Sequence, residues 1–170
     1  MPLIVREMAI DEVDLIIDYF YGSTPEHLEL LGVDPTRLPM PSHWRQGYIA
    51  DYEKPAEERA WVLVVWELDG VAVGFSTADK IVYGDRANMH LHIVEPHRRY
   101  AGIGSQCLPE TVDLYFEKLA LKQLICEPNA FNVAPNRALQ RAGFRYVKTH
   151  MTVPGPLNYH QPVTRWVYER

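Results

Sequence analysis

Three short stretches combine residue types that can do chemistry. The first is Arg99-Tyr100-Ala101-Gly102-Ile103-Gly104-Ser105, at the head of a helical pattern. Glycines here let the main chain come close to a ligand, and the unbonded N–H groups and positive dipole end of a helix start favour an anion. With Arg98 and Arg99 beside it, the stretch is either a pyrophosphate cradle or a glycine-loosened turn between strand and helix. The second is His90-Leu91-His92-Ile93-Val94-Glu95-Pro96, on a strand that leads into that loop. A period of two sets His90, His92 and Val94 on one face, with Leu91 and Ile93 on the other. An imidazole, with an ordinary pKa near ~6.5, suits a general base. One of the two histidines is functional or both are structural; Glu95 is a back-up base on the opposite face. The third is Glu127-Pro128-Asn129-Ala130-Phe131-Asn132, before a helix that ends at Gly143-Phe144. Asn132 reads as its N-cap, Pro135 as a first-turn residue and Gly143 as the residue past its end. Capping does not account for a carboxylate at Glu127.

Other reactive or aromatic residues have simpler readings. Cys107 and Cys126 are the only cysteines; both lie in apolar surroundings and read as reduced, buried thiols rather than a disulfide or acyl-carrying nucleophiles. Trp44, Tyr48, Trp61 and Trp66 read as core side chains in preference to pocket walls. His43, His150 and His160 have no sequence context that raises them above surface histidines.

The elements that must position these residues follow from periodicity. Leu3 to Met8 reads as a strand, and a helix opens at Ile10-Asp11-Glu12 with Val13, Ile16, Ile17 and Phe20 on one stripe. Ser23 to Pro41 is rich in Pro and Gly and reads as an irregular segment with a helical turn around Glu26 to Leu31. Ser42 to Tyr52 reads as a second helix. Asp69-Gly70 between the apolar runs 61–66 and 71–75 signals a hairpin, because its turn needs positive φ. A third strand follows from about Ala87 to Val94, completing an antiparallel meander. Then come a helix with Leu108, Val112, Tyr115 and Leu119 on one stripe, a strand at Gln123 to Glu127, a helix at Val133 to Ala142, and strands at Phe144 to Val153 and Thr164 to Glu169. Pro109 should kink the first of these helices or delay its start. Val163, Trp166 and Val167 offer the last strand as a possible homodimer edge. The sum is an α/β (α+β) fold: a mixed, mostly antiparallel sheet of about seven strands with helices on both faces.

Composition narrows the class. The 170 residues, 47 % of them hydrophobic, suffice for one compact domain over residues 1–170. A net charge of −5 with no basic stripe argues against nucleic acid. The longest apolar run, Trp61 to Trp66, is too short for a membrane span, and Met1 to Glu7 has no signal-peptide layout. The expected location is the cytoplasm. Nothing in the pattern asks for a metal.

In this order the three stretches resemble the GNAT acetyltransferases. Arg99 to Gly104 is similar to that family's Gln/Arg-x-x-Gly-x-Gly/Ala motif, and Asn132…Gly143-Phe144 to its later helix. The resemblance covers about Ala87 to Val153. Within the superfamily the chain looks like siderophore lysine N-acyltransferases and aminoglycoside 6′-N-acetyltransferases, which carry His or Asp where His90 stands. They also carry an acidic-Pro-x-x-x-Asn segment like Glu127-Pro128…Asn132, and Lys-Ala-Gly-Phe where this chain has Arg141-Ala142-Gly143-Phe144.

The resemblance implies a direct transfer of acetyl from acetyl-CoA to a small amine. Backbone groups near Ile93 and Val94 would pair with the pantetheine arm, and a backbone N–H near Val94 would face the developing oxyanion. Amides from Arg99, Tyr100, Ala101, Gly102, Ile103, Gly104 and Ser105 would hold the pyrophosphate, with Asn132 and Asn136 also binding coenzyme A. His90 would be base or orienter, with Glu127 as its polar partner. The acceptor pocket would come from Ser23 to Lys54. Leu139 stands where many members carry a Tyr that protonates the departing thiolate. The competing expectations are a hydroxylysine N-acyltransferase using a longer acyl-CoA, a protein N-terminus acetyltransferase, and a non-catalytic acyl-CoA-binding module.

Overall fold

The computed structural model describes residues 2–99 and 101–170. Its elements are β1 (Leu3–Glu7), α1 (Asp14–Gly22), α2 (Pro25–Leu31), α3 (Pro41–Tyr52), β2 (Val62–Leu68), β3 (Val71–Val82), β4 (Arg86–Ile93), α4 (Ile103–Leu119), β5 (Gln123–Cys126), α5 (Val133–Arg141), β6 (Arg145–Thr152) and β7 (Gln161–Glu169). The strands form one sheet in the order β1-β2-β3-β4-β5-β7-β6. Every neighbouring pair is antiparallel except β4 with β5.

Each face of the sheet has its own core. Val62, Val64, Trp66, Ala78 and Met89 pack against Leu108, Val112, Tyr115 and Leu119 of α4 and Leu139 of α5. Leu63, Val65 and Phe75 pack against Ile16, Ile17 and Phe20 of α1, Leu28 of α2, and Trp44 and Tyr48 of α3. The alternation along β2 thus feeds two layers of helices. Asp69 and Gly70 both take positive φ, as the hairpin pattern predicts. Gly74 is required for a different reason: a Cβ there would stand 2.6 Å from Cε3 of Trp66 and 2.8 Å from the His92 carbonyl oxygen.

The structure departs from the sequence reading in four places. The turn expected near Glu26 is a full helix, because Thr24 accepts the His27 N–H as N-cap, Pro25 presets the first turn, and Gly32 ends it at φ +74°. The start of α4 is not delayed: the helix begins at Ile103 and runs through Pro109, whose missing N–H removes one bond from the ladder. Asn132 occupies the N-cap position of α5, yet its side chain makes no capping bond. The expected dimer edge is corrected: β7 lies between β5 and β6, with Val163, Trp166 and Val167 buried, so the outer strand is β6. No helix among the described residues is long and apolar enough to cross a membrane.

Candidate active site

The site arises where two strands part. Pairing of β4 with β5 ends at Met89 with Cys126, yet β4 continues to Ile93. Val94 donates its N–H to Val73 O at 2.9 Å, so this residue turns its main chain toward β3. Main-chain groups alternate sides along a strand, so those of Leu91 and Ile93 turn toward the gap that β5 has vacated. Two cavities open there, of about 350 and 360 Å³.

The first is a groove over the start of α4. Gly102, Ile103, Gly104, Ser105, Ile93, Arg99 and Asn132 line it, joined by Arg98, Arg137 and Arg141. Gly102 takes φ +82°, which turns the chain into the helix, and the first helical bond runs from Gln106 N–H to Gly102 O. The amides of Ile103, Gly104 and Ser105 are therefore left at the helix start without acceptors within it. A Cβ on Gly104 would touch only Leu91 Cδ1, at 3.8 Å, so the space above that residue is open. Among the described residues, Arg98, Arg99, Arg137 and Arg141 form no salt bridge. Four uncompensated cations around three free amides make an anion site.

The second cavity is a chamber between the sheet and α1–α3. Phe20, Trp44, Tyr48, Trp61 and Phe75 form apolar walls, and the segments 31–39 and 154–158 close it over. Asp79, His90 and Glu127 stand along its sheet side. Nε2 of His90 lies 3.0 Å from Oδ1 of Asp79. Burial alone would lower the pKa of His90, but the charge and hydrogen bond of Asp79 outweigh it and raise the pKa above the ordinary histidine value. Burial likewise pushes Asp79 upward, and His90 more than reverses this, so its carboxyl sits below the usual range. Glu127 is nearly enclosed, with 6 % of its side chain exposed, and lies 3.2 Å from Arg165 Nε and 3.4 Å from His150 Nε2.

His92, Leu91, Asn132, Pro135 and Leu31 border both cavities, so groove and chamber meet there. The geometry therefore gathers His90, Glu127, Ile93, Arg99, Gly102, Ile103, Gly104, Ser105 and Asn132 around one connected space. It corrects several expectations. The hydrogen-bonding partner of His90 is Asp79, while Glu127 is held by Arg165 and His150. Of the backbone N–H groups near Val94, its own is already bonded to Val73 O, whereas that of Ile93 faces the gap. Asn136 donates to the Asn129 and Asn132 carbonyls and accepts from Trp166 Nε1, so it braces the start of α5 and does not line the groove. Ala101 is exposed outside the groove, and Glu95 is exposed 3.9 Å from His97. Tyr100 lies outside the described residues. Trp44 and Tyr48 are both core and chamber wall, and Leu139 is fully buried away from either cavity. Sequence reasoning missed Asp79, Arg137, Arg141 and the contact of His150. Only Arg137 and Arg141 had a readable signal, their i, i+4 spacing on one helix face.

Residues 41–152 match the family model for the acetyltransferase (GNAT) domain. No curated protein matches the sequence significantly. Among solved structures, the chain is similar to a spermidine N-acetyltransferase from Vibrio cholerae in complex with CoA and spermine. The TM-score is 0.78 and the identity 15 %, over 98 % of this chain and 95 % of that one. It is also similar to the ribosomal L7/L12 alpha-N-protein acetyltransferase RimL in complex with coenzyme A, at TM-score 0.75 and 15 % identity over 98 % and 93 % of the two chains. A third likeness is to the aminoglycoside acetyltransferase AAC(6′)-Ib in complex with coenzyme A, at TM-score 0.71 and 15 % identity over 99 % and 95 %. At such identity these are likenesses of fold.

Proposed function

Because this chain belongs to the GNAT acetyltransferases, we propose that it transfers an acetyl group from acetyl-CoA to a small amine, working as one domain over residues 1–170. The supporting observation is that an anion groove and a chamber with a His–Asp pair meet at one point, between His92 and Asn132.

The residues of the groove fit coenzyme A. The free amides of Ile103, Gly104 and Ser105 and the guanidinium groups of Arg98, Arg99, Arg137 and Arg141 suit its phosphates. The main-chain groups of Leu91 and the N–H of Ile93, whose carbonyl already accepts from Arg99 Nε at 3.3 Å, suit an arm laid along the open strand edge. Bound acetyl-CoA supplies an activated acetyl group as a thioester. The chamber supplies the rest. Asp79 holds the proton of His90 at Nε2, leaving Nδ1 as the lone pair that takes the proton of an arriving ammonium. Glu127, braced by Arg165 at 3.2 Å, offers a second acidic side chain on the sheet side of the chamber toward a cationic acceptor. The aromatic walls exclude water and hold the amine in attacking position.

The test is calorimetry with coenzyme A, followed by thiol release from acetyl-CoA against a panel of amines. Binding together with amine-dependent release supports the reading. No heat of association at millimolar coenzyme A overturns it.

A further inference from the structure

We propose that His92 is a second catalytic histidine, whose Nε2–H donates a hydrogen bond to the thioester carbonyl oxygen as negative charge gathers there. The proposal rests on the acetyl-transfer reading above and adds a side-chain donor to the main-chain N–H groups of Leu91 and Ile93 that face the gap. Of the main-chain donors near Val94, its own N–H is bonded to Val73 O at 2.9 Å.

Placement supports it first. His92 borders both the groove and the chamber, so its ring stands where an acetyl donor and an amine would meet. The ring is also held still. Its centroid lies 5.0 Å from that of Tyr19, 5.2 Å from Phe20 and 5.0 Å from Phe75, giving it aromatic neighbours from α1 and β3.

The tautomer follows from enclosure. Nδ1 of His92 is buried without a hydrogen-bond partner among the described residues. An enclosed lone pair costs less than an enclosed N–H, so the single proton of a neutral ring belongs on Nε2. That ring nitrogen is not enclosed in the same way, and among the described residues it donates to nothing. The ring is neutral because burial above all holds its pKa well below the ordinary value, with repulsion from His90 and His27 when those rings are protonated, and from Arg99, acting in the same direction. Tyr19, the other titratable group against it, has its pKa raised by burial and remains an uncharged phenol. A neutral imidazole is a hydrogen-bond donor that does not change charge across the working pH range.

The transfer balances around this bond. The amine nitrogen forms the C–N bond, and the carbonyl π pair moves onto oxygen beside Nε2–H. Return of that pair breaks the C–S bond, and sulphur leaves with its electrons. One amine proton has already passed to His90; a second goes to sulphur to give the thiol. His92 keeps its own proton throughout.

The test uses His92→Phe, which keeps a ring among the aromatic neighbours but removes the donor, and His92→Gln, which returns an N–H near the place of Nε2. Loss of one oxyanion donor predicts a fall in kcat of about 100-fold for the Phe variant, with recovery of at least about tenfold in the Gln variant. Coenzyme A affinity, read by calorimetry, should change less than about threefold in either variant. Nitrogen NMR of the wild-type chain reads the ring directly: His92 should carry its proton on Nε2 alone between about pH 6 and 8. Turnover of the Phe variant within about threefold of wild type overturns the proposal. So does a folded Gln variant as slow as Phe, or a proton on Nδ1. If neither variant melts cooperatively, the NMR result decides. A wild-type chain that releases no thiol with any amine shows instead that the acetyl-transfer reading has failed.

Discussion

His90 and Asp79 pair diagonally across the β3–β4 ladder: Thr77 is the residue directly opposite His90, yet Nε2 reaches 3.0 Å to the carboxylate two residues further along β3. Diagonal neighbours on one sheet face are within reach of long side chains. The pair is set by the strand register and not by any local sequence motif. It ties the protonation of the candidate base to the fold of the meander.

Replacing Asp79 with Asn removes the attraction that raises the pKa of His90 while leaving the burial that lowers it. His90 acts as base only when neutral, so kcat/KM in the wild type should climb with pH through a value above the ordinary histidine pKa. In Asp79→Asn that climb should move to lower pH, and the plateau should fall by about 10- to 100-fold as the orienting bond is lost. A pH–rate profile that stays in place would remove His90 from the role.

Arg137 and Arg141 project from α5 into the groove without acidic partners among the described residues. Each hydrogen bond from a charged donor to a phosphate is worth roughly 1.5–3 kcal/mol, so Arg137→Ala or Arg141→Ala should weaken coenzyme A binding by about tenfold or more. Stability should change little. Calorimetry at two salt concentrations checks both the loss and its ionic origin.

The two glycines of the loop should fail differently. Gly102 holds φ +82° with open space around it, so Gly102→Ala should lower stability by about 1–2 kcal/mol through backbone strain. Gly104→Ala meets only ordinary contact inside the chain, so its melting curve should hold while coenzyme A affinity drops, the methyl standing where the ligand must approach. Thermal melts and calorimetry on the two variants separate the effects.

Acid should loosen the α1–α2 side of the molecule. Burial, and then the charge of Arg99, bring His27 down to about 4, and His92 is also held low. The unfolded chain binds protons at these rings first, so stability is lost as pH falls from the ordinary histidine value toward 4. His90 has the opposite sign: its raised pKa contributes stability below the ordinary value, which fades as pH rises through the shifted one. Tm should therefore fall between pH 7 and pH 5, and by less in His27→Gln, whose amide oxygen can take the place of Nε2, which lies 2.7 Å from the Tyr19 hydroxyl.

What could be read from the sequence was local. The Asp69-Gly70 hairpin, the stripe on α4 and the paired glycines each declare themselves within a few residues. What escaped was set by pairing between distant strands. Asp79 gave no sign of facing His90, because that depends on a register interrupted by a bulge after Asp79 and by Lys80 at positive φ. The same holds for the Val94 amide, taken up by Val73, and for β7, which an apolar pattern shows to be buried on a face without showing that it is interior to the sheet. His150 reaches Glu127 only because β6 folds back beside β7.

The cover of the chamber is pinned at one spot. Gln161 Nε2 and Asn158 Nδ2 both donate to the Gly32 carbonyl, and a Cβ on Gly32 would stand 1.8 Å from Oε1 of Gln161. The cover of the chamber is thus assembled from the stretches around 31–39 and 154–158, whereas the groove is built chiefly over α4 and α5. Under the proposed reading, substitutions in those two short stretches beyond Leu31, which borders both cavities, would alter the choice of amine and leave the groove over α4 and α5 as it stands, provided position 32 remains glycine.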